Sequence, residues 1–197
     1  MPLVIAMMAI TLLTALGTVF VLGTMTETAI AANYRDGTEA FYAADAAVEF
    51  VVQDLAAASD WKVILNGETM SAFIDGPPGG VRQVGAGTVD LTQATADINA
   101  IAGAGRGSPP YALYAYGRFA DLVPNAGVRP FIYVAVWVAD LSDEGSGEPG
   151  SAVVGIVGRA YGPAGSRRSV AVSIAREGGV DESAPGPVRV ASWDDLR

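Results

Sequence analysis

Residues 1–26, MPLVIAMMAITLLTALGTVFVLGTMT, contain no charged side chain, and residues 27–59, ETAIAANYRDGTEAFYAADAAVEFVVQDLAAAS, continue the same helical pattern with charges added. A helix rises about 1.5 Å per residue, so the uncharged run is roughly 38 Å long, enough to cross a hydrocarbon core of about 30 Å. Pro2 falls in the first turn, where a missing N–H costs nothing. Gly17 and Gly23 weaken a helix in water but are common where membrane helices pack closely. The membrane-type surface is formed by Leu3, Val4, Ile5, Leu12, Leu13, Leu16, Val19, Phe20 and Leu22. A cleaved secretory signal fits poorly, because no basic region precedes the apolar run and helical periodicity continues past any cleavage point.

From residue 27 the helix turns amphipathic. Ile30, Tyr34, Gly37, Phe41, Ala44, Val48, Val51 and Leu55 are spaced 4, 3, 4, 3, 4, 3, 4, which forms a narrow apolar seam free of charge. The expectation is that this seam, carried by Ile30, Tyr34, Phe41, Val48, Val51 and Leu55, lies on the chain's own globular head. Ala31, Ala32, Ala43, Ala46 and Ala47 make a second flank of small residues, a candidate surface for close approach of another subunit's helix. High helix propensity accounts for the same alanines equally well.

The helix should span about residues 2–59 and end near Ser59-Asp60-Trp61. Beyond it, Val81 to Val84 and Thr88 to Leu91 read as short strands, and Thr92 as the cap of a helix reaching Ala102, with Ala94, Ile98 and Ile101 on its apolar side. Tyr111 to Gly117 and Pro130 to Asp140 read as strands, the second so rich in β-branched and aromatic residues that it should be central. Ala152 to Tyr161 and Arg168 to Arg176 flank Gly162-Pro163-Ala164-Gly165-Ser166 and should form a hairpin. Val188 to Trp193 is a candidate edge strand after a Gly/Pro/acidic linker. The fold class is therefore α+β: a long N-terminal helix packed on a C-terminal antiparallel sheet, in two layers. The expected division is residues 1–26 as the membrane-type half of the helix and 27–60 as its amphipathic half. Residues 61–176 are then the head and 177–197 the tail.

Composition narrows the chemistry. There is no histidine and no cysteine, so the commonest general base, the commonest zinc ligand and any disulfide or thiolate site are missing from the chain. A net charge of −9 with a single lysine, Lys62, argues against a nucleic-acid surface, which needs clustered cations. Gly103-Ala104-Gly105-Arg106-Gly107 precedes two prolines rather than a helix and is no phosphate loop. Asp140, Asp143, Glu144 and Glu148 could offer oxygen ligands to Ca²⁺, yet their spacing matches no EF-hand, and a solvated acidic loop explains them more simply. No active site and no cofactor are expected.

Two stretches carry a family resemblance. Met1-Pro2-Leu3-Val4-Ile5 resembles the start of a mature type IV pilin or pseudopilin. Ala31-Ala32-Asn33-Tyr34-Arg35-Asp36-Gly37 with Phe41-Tyr42-Ala43-Ala44-Asp45-Ala46-Ala47-Val48-Glu49 is similar to the N-terminal signature of PilX-type pilus-assembly proteins. The resemblance covers about the first sixty residues. It implies a non-enzymatic subunit of a type IV pilus-like filament that polymerises with other pilins through its N-terminal helix. Such a subunit waits in the inner membrane and ends at the cell surface. Most pilins have glutamate at the fifth mature position; Ile5 stands there if numbering starts at the mature end, which leans towards a minor, priming or tip-proximal subunit. The alternatives are a single-pass inner-membrane protein with a periplasmic binding head and a minor pseudopilin of type II secretion.

Overall fold

The computed structural model describes residues 2–102, 109–123, 131–142, 152–176 and 186–196. Helix α1 runs without interruption over Pro2–Ala57. The chain divides into two compact units, Met1–Asp36 and Gly37–Arg197. Charged side chains begin at Glu27, inside the first unit. Residues 27–35 are as exposed as the apolar run before them.

Within the head, α1 stops at Ala57, and α2 (Trp61–Leu65) follows at once. Asp60 caps α2 by accepting the Lys62 N–H at 2.9 Å. The last carbonyls of α1 have no partners within the helix and need donors from elsewhere. Arg176 supplies them, its Nη2 donating to the Leu55 and Ala58 carbonyls at 3.0 and 2.8 Å. Trp61 Nε1 also donates to the Leu55 carbonyl, at 2.7 Å, and the Arg176 guanidinium lies 4.3 Å from the centre of the Trp61 ring. A cation is favoured at a helix C-terminus by the same dipole that leaves those carbonyls electron-rich.

After α2 the chain forms a small hairpin, β1 (Val81–Val84) with β2 (Gly87–Asp90), and then helix α3 (Leu91–Ile101). Asp90, not Thr92, caps α3: its carboxylate accepts the Thr92 and Gln93 N–H groups at 2.9 and 3.2 Å. Ile101 is exposed, and Leu91 takes the buried place on the apolar side. The main sheet comprises β3 (Ala112–Arg118), β4 (Tyr133–Asp140), β5 (Ala152–Tyr161), β6 (Arg167–Arg176) and β7 (Val188–Leu196); a one-turn helix α4 (Phe119–Leu122) follows β3. Its order, β3-β4-β5-β6-β7, is a meander in which every neighbouring pair is antiparallel. The β5–β6 hairpin turns through residues 162–166, where Gly165 takes a positive φ of 75°. The outer edge of β3 is covered by residues 71–74: Tyr116 N–H donates to the Phe73 carbonyl at 3.0 Å.

The head has three layers, not two. Val134, Val136 and Val138 of β4 belong to the core shared with Ala40, Ala44, Val48, Val51 and Leu55 of α1. The alternate residues Tyr133, Ala135 and Trp137 belong to a second core, shared with Leu91, Ala94 and Ile98 of α3 and with Val84. Trp137 Nε1 also donates to Thr95 Oγ1 at 2.8 Å, fastening α3 to that face. A strand covered on both faces has no need of polar alternation, which explains the continuous apolar run of β4. β4 is interior, although β5 holds the middle place.

Candidate assembly surface of the N-terminal helix

In the unit Met1–Asp36, Leu3, Val4, Ile5, Leu12, Leu13, Leu16, Val19, Phe20 and Leu22 are all exposed. By length and composition, α1 can cross a membrane. The run is apolar but contains threonines, whose hydroxyls must find partners wherever water is excluded. The five in residues 1–26, and Thr28 just beyond, do so inside the helix. Thr11 donates to the Met8 carbonyl at 2.9 Å, Thr14 to Ile10 at 2.8 Å and Thr18 to Thr14 at 2.9 Å. Thr24, Thr26 and Thr28 donate to the carbonyls of Phe20, Leu22 and Thr24 at 3.0, 3.0 and 2.8 Å. This backward bonding is the usual recourse of a helical threonine, and it leaves the outside of the helix effectively apolar. A count of charges alone overlooks these residues; any threonine inside a helix has a carbonyl three or four residues back within reach, so the threonines themselves are the signal.

The seam and the flank do not fall where periodicity puts them. Val48, Val51 and Leu55 are fully buried in the head and Phe41 is half-buried, but Ile30 and Tyr34 are 63 % and 77 % exposed. Conversely, Ala43 and Ala47 are buried, and Ala46 packs against the same core. Those three alanines of the flank face their own sheet and are not open to a neighbouring subunit; only Ala31 and Ala32 are exposed. Gly158 of β5 gives the physical reason. A Cβ placed there would collide with Val48 Cγ2 and lie 3.1 Å from the Ala44 carbonyl oxygen. Small residues on α1 opposite a glycine on β5 bring the helix backbone against the sheet, so the buried stripe is centred on the alanines.

Of the acidic group, Asp140 is exposed, and its Oδ1 accepts the Ser142 N–H and hydroxyl at 3.0 and 2.5 Å. Asp143, Glu144 and Glu148 lie outside the described residues. Among the described residues no group of three His, Cys, Asp or Glu side chains is placed to hold a metal ion.

An uninterrupted helix with an apolar, exposed first part, whose last part packs on an antiparallel sheet, is the layout implied by the resemblance to the type IV pilin superfamily. Residues 1–49 match the family model described as PilX N-terminal, which supports a PilX-type pilin N-terminal region over that quarter of the chain. Neither the curated proteins nor the solved structures give a match to the chain.

Proposed function

We propose that the protein is a structural, non-enzymatic subunit of an extracellular type IV pilus-like filament. Its N-terminal helix rests in the inner membrane before assembly and bundles with the helices of other pilin subunits afterwards. The observation that carries this reading is the outside of α1 over its first half: apolar all round, exposed, with its threonine hydroxyls bonded inwards. Such a surface is satisfied by lipid or by other surfaces like it, and it presents nothing to water. Contacts between non-identical patches then give an open helical array rather than a closed ring. A minor, priming or tip-proximal place is favoured only if Ile5 is found at the fifth mature position, where it would offer no carboxylate to pair inside a filament core. Mass spectrometry of the mature N-terminus tests whether Ile5 holds that position.

The principal test is to shear cells that make filaments and probe the detached fibres for this protein. Recovery in the fibre fraction is expected; recovery only with membranes would favour the single-pass protein with a binding head. Ala31→Glu and Ala32→Glu put a charge on the exposed part of the flank and are expected to reduce incorporation several-fold with membrane retention unchanged. Normal incorporation of both variants would remove Ala31 and Ala32 from the packing surface.

A further inference from the structure

We propose that the head binds a carboxylate group in the cleft between α3 and the β5–β6 hairpin, on the guanidinium of Arg159. The inference does not rest on the filament reading, since every residue it uses belongs to the head. Two adjoining cavities of about 350 and 510 Å³ run along this face of the sheet, and Arg159, Arg167 and Asp97 line both. Arg159 is only 7 % exposed, an unusual place for a cation in a chain of net charge −9. Buried charges are ordinarily paired. Here Arg159 Nε donates to Ser169 Oγ at 2.8 Å, and among the described residues no carboxylate comes within ion-pair distance of the guanidinium.

Two more polar atoms on the first cavity lack an acceptor. Ser166 Oγ is buried without a hydrogen-bond partner, and the buried Tyr161 hydroxyl, beside the Arg159 guanidinium, has no acceptor for its proton. A buried donor left without an acceptor is costly, and donors of this kind around one space point to a missing acceptor. With Nε tied to Ser169, the two Nη groups remain for a planar, end-on contact, the geometry in which a guanidinium holds a carboxylate. Tyr161 and Ser166 can then donate to the same oxygens.

The opposite wall decides between a carboxylate and a more highly charged anion. Asp90 and Asp97 line the first cavity, Asp97 accepting from Gln93 Nε2 at 2.8 Å and Asp90 capping α3. A phosphate dianion would add two negative charges to a cavity already lined by two carboxylates, whereas a carboxylate adds one beside Arg159 and Arg167.

The test uses the full chain in neutral detergent, with saturable ligand binding followed by NMR. The probes are acetate, inorganic phosphate, and an N-blocked tripeptide with either a free or an amidated C-terminus. Acetate or the free-acid peptide is expected to bind, and the amidated peptide is not. Binding of acetate assigns the site to free carboxylates; binding of the peptide acid without acetate assigns it to a chain terminus, and either supports the proposal. Arg159→Met should weaken binding by about tenfold or more, the loss of a charge-assisted pair. Tyr161→Phe and Arg167→Ala should each weaken it several-fold with the thermal unfolding midpoint unchanged, and Lys62→Ala should have no effect. If Arg159→Met does not fold, the Tyr161 and Arg167 variants decide. The proposal fails if no carboxylate binds saturably, if phosphate binds as tightly as acetate, or if Tyr161→Phe and Arg167→Ala both bind as the parent does.

Discussion

Arg176 closes the head at the level of a single side chain. It is the last residue of β6, yet it satisfies carbonyls at the end of α1, more than a hundred positions away in sequence. Burial pushes its guanidinium below the usual arginine range, and the Asp60 carboxylate opposes that shift. Arg176→Ala removes these charged hydrogen bonds and the stacking on Trp61 together, so a loss of about 3 kcal/mol is expected in denaturant unfolding. Arg176→Lys should recover only part of it, because one ammonium cannot serve several carbonyls and lie flat on an indole. Tyrosines give a second expectation. Burial, with the nearby Asp54 carboxylate, pushes the Tyr114 hydroxyl up to about 12, and burial does the same for Tyr133. Below pH 10 both hydroxyls are protonated in the folded and unfolded chain alike. Between about 10 and 12 the unfolded chain loses those protons first, so stability is intact below that window and falls as pH rises through it. Alkaline titration of phenolate absorbance together with circular dichroism should show these tyrosines ionising only as the head unfolds. Their ionisation at ordinary phenol pH in a folded head would contradict the burial described.

Among the elements, the decisive contact is α1 on β5. Gly158→Val forces a side chain into the space held by Val48, and overpacking of this kind costs about 1–3 kcal/mol. Ala43→Glu places a carboxylate in the core between helix and sheet, and a loss of about 3–5 kcal/mol is expected, the cost of an unpaired buried charge. Both are measured by unfolding the detergent-solubilised chain; full stability of Ala43→Glu would mean that Ala43 does not face the sheet in solution. The strands were legible from composition because β-branched runs and the Gly162 to Ser166 turn are local signals. The uninterrupted α1 was equally legible, as one continuous pattern without a breaker. The buried face of its second half was not. Periodicity ranks side chains by hydrophobicity, and alanine is ambiguous on that scale; what selected Ala40, Ala43, Ala44 and Ala47 was the glycine at position 158, far along the chain. The third layer was missed for a related reason. The apolar face of α3 is short, and nothing in its own sequence says that it covers β4.

For the molecule as a whole, the two compact units call for different surroundings. Residues 2–26 are long and apolar enough to cross a membrane, while the head carries its own cores. Because the threonine hydroxyls of α1 are bonded to its own carbonyls, they are not expected to join subunits to one another. Thr14→Val, Thr18→Val and Thr24→Val combined should leave membrane insertion and fibre incorporation within about twofold of the parent, since valine keeps the shape and the helix loses no outside contact. A large drop in fibre recovery would mean that the hydroxyls turn outwards to bond across subunits.

On the proposed function, in which the helix passes from the bilayer into a fibre, that inward bonding has one more consequence. Extraction from oil into a bundle, and the return journey when a fibre is dismantled, would break and remake no polar link along this stretch. The helix would then meet little chemical resistance in either direction, and subunits withdrawn from a fibre could be stored in the bilayer and used again.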